Sequence, residues 1–201
     1  MNTKFVLKNS SDGKYYKKGS KFYSMSYMVN SIDDIKYIQK DLRSKYTNAN
    51  HICYAYRIMV DKRVDEYGVD SGEPQGTAGM PILSVLKKNK LINTSIFVIR
   101  YFGGIKLGIP GLINAYSNAA NETINKSVIV PYIKKSKVSI SFNYKYQKQI
   151  ESYLNKNYIK IVENKYDESI YFRIELEKDS KEEILLQLKK ITNQNLIILN
   201  I

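Results

Sequence analysis

Apolar and polar positions along this 201-residue chain alternate in blocks whose period switches repeatedly between that of a strand and that of a helix. Lys21 to Val29 predicts a strand, and Ser31-Ile32-Asp33-Asp34 opens a helix. There Ser31 is the N-cap, Asp33 and Asp34 sit in the first turn, and Ile35, Ile38 and Leu42 share one face. His51 to Val60 reads as a strand, with a second toward Tyr67; Ala78 to Lys88 reads as a helix that buries Ile82, Leu83, Val85 and Leu86. Asn93 to Tyr101 contains Ile96-Phe97-Val98-Ile99, the continuous apolar run of a strand covered on both faces. A helix follows from Gly111 through Leu112, Ile113, Ala115, Tyr116, Ala119 and Ala120.

Val128-Ile129-Val130-Pro131, followed by Lys134 and Lys135, has the character of a linker. Beyond it the pattern runs strand 137–142, helix 146–154, strand 158–166, strand 169–176, helix 180–191 and strand 195–201. This βαββαβ order is ferredoxin-like. The expectation is an α+β protein of two domains, 1–133 and 136–201. The polar opening through Lys21, with Lys14, Lys17 and Lys18 around Tyr15 and Tyr16, is expected to be a mobile arm.

Glycine interrupts the periodic blocks in two places. Residues 70–79, Asp-Ser-Gly-Glu-Pro-Gln-Gly-Thr-Ala-Gly, and residues 100–111, which begin Arg-Tyr-Phe-Gly-Gly-Ile-Lys-Leu-Gly, hold seven of the ten glycines. Such clusters imply backbone that turns sharply or approaches something closely. Arg100, Gly103, Gly104, Lys106, Gly108 and Gly111 suit an anion or nucleic-acid site built from backbone N–H groups, a helix N-terminus and two cations. The plainer alternative is a tight strand-to-helix connection with solvated charges. No nucleotide-binding glycine motif is present. Asp70 and Glu73 fit an acid/base pair, an oxygen-ligated magnesium site, or simple turn caps. With His51 and Thr77 they make up the expected polar cluster of the site, on the premise that the two glycine loops meet in space.

Composition narrows the partners. The net charge of +13 is uneven: residues 1–135 hold 21 Lys+Arg against 10 Asp+Glu, and residues 136–201 hold 11 against 9. A basic surface on the first domain is the consequence, with an acidic partner such as nucleic acid. Only five basic residues are arginines, which argues against base-specific reading. Eighteen tyrosines among the lysines offer stacking platforms, although most are expected to be strand and core residues. Single Cys53 and single His51 leave no internal disulfide and no zinc set; two apart on a strand, they share a face, and a packed cysteine fits better than a nucleophile. No apolar run reaches the roughly 20 residues of a membrane span, and the start lacks a secretory signal, so a cytoplasmic protein is expected.

The segments Lys18-Gly19-Ser20-Lys21-Phe22, Ala49 to Tyr56, Gly72 to Leu83 and Arg100 to Gly108 resemble the IMPACT/YigZ family over nearly the whole chain. That resemblance implies a first domain like domain 2 of ribosomal protein S5, and a second like the ferredoxin-like domains of elongation factor G. It also implies a role near translation: eukaryotic relatives are translational regulators, and RNA or ribosome binding is the usual suggestion for bacterial members. Three positions depart from the family pattern. Ser71 stands where a second Asp is usual, Pro110 removes an N–H and Asn114 removes a cation. The resulting reading is a non-enzymatic, cofactor-free factor that binds RNA or the ribosome, with a protein partner in translation control as a further expectation. A hydrolase or transferase acting on a phosphorylated small molecule, with Glu73 as base, is the alternative.

Overall fold

The computed structural model describes residues 3–61 and 63–199. It consists of two compact units, residues 1–132 and 133–201. Both are α+β.

The first unit contains strands β1 (Phe5–Leu7), β2 (Ser11–Lys17), β3 (Ser20–Met28), β4 (His51–Val60), β5 (Arg63–Val69), β6 (Thr94–Tyr101) and β7 (Ile129–Pro131). Its helices are α1 (Ile32–Lys45), α2 (Gly79–Lys88) and α3 (Gly108–Asn125). Five strands form one antiparallel sheet in the order β2-β3-β6-β4-β5. Central position explains β6: Ile96 and Val98 enter a core with Phe22, Cys53, Leu86 and Tyr116, while Phe97 and Ile99 join Ile35, Leu42 and Ile52 on the opposite face. A strand buried on both sides has no polar face to show, hence its unbroken apolar run. Helices α2 and α3 cover the first face and α1 part of the second.

Local chemistry places α1 where the sequence predicts it. The Asp34 N–H donates to Ser31 Oγ (3.1 Å) and the Ser31 N–H donates to Asp34 Oδ2 (3.0 Å), a reciprocal capping box. Two expectations are corrected. The opening residues are no mobile arm: β2 pairs with β3 along its whole length, and Leu7 of β1 is buried in the main core. The linker expected at Val128–Pro131 is largely strand, since β7 pairs with β1 and the Tyr132 N–H donates to Lys4 O. Both segments follow their apolar residues: Phe5 and Ile129 pack against the core that Leu7 enters, and so draw the backbone into pairing.

The second unit runs β8 (Lys135–Phe142), α4 (Gln147–Lys156), β9 (Lys160–Tyr166), β10 (Ile170–Glu177), α5 (Lys181–Ile191) and β11 (Ile197–Leu199), with a short 3-10 turn, Tyr144–Tyr146, before α4. Its antiparallel sheet has the order β11-β8-β10-β9, the ferredoxin-like arrangement that the element order predicts. Residues 200 and 201 of the expected last strand lie outside the described residues. Ile140, Phe142, Phe172 and Ile174 of the sheet pack against Ile150, Leu154 and Leu188 of the helices. Among the described residues no helix is long and apolar enough to cross a membrane.

Candidate functional site

Asp70 organises the first glycine loop. Its carboxylate accepts from the N–H groups of Gly76 (2.7 Å), Ala78 (2.9 Å) and Gly79 (2.8 Å). These bonds close the loop and cap α2, whose own N-cap residue, Ala78, has no side chain that can do so. A carboxylate there is also favoured by the helix dipole. Thr77 is buried, and its hydroxyl donates to Pro74 O (2.7 Å), so it too holds the turn.

That frame carries Glu73 inward. The Glu73 side chain is 3% exposed, and its Oε1 accepts from Arg100 Nη1 at 2.5 Å and from the Tyr116 hydroxyl at 2.8 Å. Arg100 comes from the end of β6 and is directly opposite His51 in the sheet register. The Glu73–Arg100 pair joins the two glycine loops, which therefore meet. The guanidinium carbon lies 5.5 Å from the Phe22 ring centre and 5.6 Å from that of Phe102, and Nη2 reaches Ser20 Oγ at 3.4 Å. Arg100 Nε is buried without a partner. Arg100 is thus committed to Glu73; to clamp a phosphate it would first have to leave a buried carboxylate.

His51 completes the cluster. Its Nδ1 lies 3.0 Å from Ser71 O, and because a carbonyl only accepts, that nitrogen carries a proton. The other nitrogen, Nε2, faces Glu73 Oε1 at 3.9 Å. Cys53 shares the same face of β4, but its thiol donates to Asp70 O (2.8 Å), with Tyr116 Oη 3.4 Å from the sulfur. Burial pushes that thiol up to about 12, so Cys53 is a packed hydrogen-bond donor and not a nucleophile. Burial likewise pushes the Tyr116 phenol up, an effect reinforced by Cys53 and Glu73. Tyr116 was legible only as one residue of an apolar helix face; a tyrosine among Leu112, Ala115 and Ala119 was the signal that a polar group entered the core.

The second loop presents different chemistry. Gly103 packs on the β2–β3 turn so closely that an added Cβ would lie 1.9 Å from the Gly19 carbonyl carbon. Gly104 has φ +84° with open space around it, a requirement of backbone conformation alone. Lys106 is exposed, and among the described residues the N–H groups of residues 104–107 donate to no protein acceptor. Gly108 begins α3 with φ +71°, and Gly111 lies in its first turn. A cavity of about 390 Å³ opens here, lined by Phe102, Leu107, Ile109 and Leu112 with Glu73, Arg100 and Lys106. No group of three or more His, Cys, Asp or Glu among the described residues is arranged to hold a metal ion.

Comparison with known proteins sets this geometry beside its relatives. The Impact N-terminal domain family matches residues 18–124. IMPACT family member YvyE of Bacillus subtilis is 31% identical over 94% of this chain and 87% of its own length. IMPACT family member YigZ of Escherichia coli is 28% identical over 79% of this chain and 78% of its own. A crystal structure described only as that of a hypothetical protein overlays 100% of this chain and 98% of its own with a TM-score of 0.72 at 24% identity, which shows a shared fold. The two-domain translational regulator Yih1 overlays 60% of this chain and 48% of its own with a TM-score of 0.39, too slight a likeness to carry an argument.

Proposed function

This chain belongs to the IMPACT family, and from that premise we propose that it is a translation-associated regulatory factor that binds RNA or the ribosome through the basic surface around its second glycine loop. One observation carries this reading: the Gly19–Gly103 contact seats the lysine-rich β2–β3 turn against the loop that bears Lys106. Exposed Lys18 and Lys21 therefore flank the same loop as Lys106 and the unpartnered N–H groups of residues 104–107. Cations beside free backbone donors suit phosphate oxygens. Asp70, Glu73, His51 and Thr77 support this surface from below by shaping the loops. Arg100 acts in the same way, as the counter-ion of Glu73 and not as a phosphate ligand.

The test is sucrose-gradient co-sedimentation of the full chain with ribosomes of its own organism, at low and moderate salt, beside Lys18→Ala/Lys106→Ala. Binding that is lost in the variant supports the reading. Phosphate neutralisation releases counterions, so affinity should fall steeply between about 50 and 200 mM salt. Wild-type protein that stays at the top of the gradient at low salt would refute it.

A further inference from the structure

The tyrosines and lysines that the sequence scatters are brought into order at the β2–β3 end of the sheet. In the register of these strands Lys14 lies opposite Tyr23, and Tyr16 opposite Lys21. Residues two apart on a strand share a face, as do directly paired residues, so these four side chains form a checkerboard of two rings and two ammonium groups. The spacing is about 5 Å across the strands and about 7 Å along them. Tyr101 of β6 extends it, paired with Lys21 and edge-to-face with Tyr23 at 5.9 Å between ring centres. Lys14 Nζ stands 5.9 Å from the centre of the Tyr23 ring.

Tyr23 and Tyr101 are half-buried at the edge of the core beneath α1, and beyond them this part of the sheet is open. The α1 residues Ile35 and Leu42 pack with Ile52, Ile58, Phe97 and Ile99 of β4 and β6, and β2 is an edge strand. The uncovered corner forms a groove of about 610 Å³, lined by Lys14, Lys21, Tyr23, Tyr46, Tyr101 and Phe102. That volume lies in the range of sites that enclose a small ligand. Tyr16 is 59% and Phe102 46% exposed, so both rings are accessible to a stacking partner. Asp12 is the one carboxylate in the lining, against two lysines and the neighbouring Lys18.

We propose that this groove, together with Tyr16 beside it on the same sheet face, binds single-stranded RNA, with bases stacked on Tyr16, Tyr23 and Tyr101 and phosphates held by Lys14 and Lys21. The proposal rests on the RNA-binding reading above and extends its surface along the sheet from Lys21 and Phe102, which the two share. Aromatic platforms interleaved with cations match a strand whose bases are free, because every base has a face to stack and a phosphate beside it. A duplex keeps its bases stacked on one another and has none to offer. With only lysines as cations, and no arginine fork, the groove should tolerate any sequence.

Fluorescence anisotropy of the full chain with a dye-labelled oligouridine of about 12 nucleotides, within the span of known single-strand sites, tests the idea. Tyr16→Ala should weaken binding about 5- to 150-fold, the range expected for one stacked base, while Tyr16→Phe, which keeps the ring, should bind like wild type. Tyr16 is exposed on an edge strand, so neither change threatens folding. Lys14→Ala/Lys21→Ala should flatten the slope of log affinity against log salt by about 1.4, roughly 0.7 per lost single-strand phosphate contact. Lys88→Ala/Lys126→Ala, which removes exposed charge elsewhere, should leave that slope close to wild type. Tyr16→Ala binding as tightly as wild type, or a duplex of equal length binding as well as the single strand, would overturn the groove. If wild type co-sediments with ribosomes yet ignores the oligouridine, the groove falls and the translation reading stands; if it does neither, both fall.

Discussion

Replacing Glu73 with alanine should be among the most damaging single changes in the first unit. The carboxylate and its partner are nearly dry, with side chains 3% and 6% exposed. Without Glu73 the Arg100 guanidinium keeps the Phe22 and Phe102 rings and, among the described residues, a single side-chain hydrogen bond, the 3.4 Å contact to Ser20, while its Nε is already unpartnered. Breaking a buried ion pair by removing one partner costs about 3–5 kcal/mol. Water entering from the adjoining cavity would solvate part of the stranded charge, which puts the expected loss near ~3 kcal/mol. With a urea dependence of about 2 kcal/mol per molar, the midpoint should fall by ~1.5 M. Hydrogen exchange pulsed along a urea series reads β4 and β6 separately from the second unit. Glu73→Leu/Arg100→Met should lose less than Glu73→Ala, since it removes both charges together. A loss below about 1 kcal/mol would refute the reasoning, because that is the worth of a solvent-screened surface pair.

The other predictions concern the framework. Gly103→Ala forces a Cβ into the Gly19 backbone and should cost about 3 kcal/mol as severe overpacking, whereas Gly104→Ala, strained only by its positive φ, should cost about 1–2 kcal/mol; comparable urea midpoints for the two would contradict the close approach. Asp70→Ala removes the acceptor of three backbone N–H groups and should cost at least ~2 kcal/mol, with faster exchange across residues 70–79 as the readout. Cys53 should resist a thiol reagent at pH 8 in the native state and react fully in denaturant. Because burial raises the Cys53 thiol to about 12, the unfolded chain releases this proton first as pH rises, and its stabilisation is lost between about pH 9 and 12, by up to ~1.4 kcal/mol per pH unit. Cys53→Ala should flatten that alkaline slope, and Tyr116, shifted in the same direction, should account for part of what remains.

Much of the architecture is written locally in this chain. Ser31 and Asp34 sit three residues apart, as a capping box needs, so α1 begins where its residues say it must. His51 to Val60 is a strand over just those residues, and the last six elements appear in the order their periodicity predicts. What local patterns omit is which strands become neighbours. Period two assigns a side chain to a face but names no partner across the sheet, so Phe5–Leu7 and Ile129–Pro131, too short to declare themselves, read as arm and linker. The candidate site suffers most from that silence. Asp70 and Glu73 looked alike in sequence, yet one spends its carboxylate on three local N–H groups while the other reaches Arg100, 27 residues away. Arg100 looked like a surface cation because its charge is visible in sequence and its burial is not. The same holds for Lys14, Tyr16, Lys21 and Tyr23, whose checkerboard exists only once β2 and β3 are paired in register. Short-range chemistry decides where helices and strands begin; long-range burial and register decide which charges are neutralised and which rings and cations face solvent together.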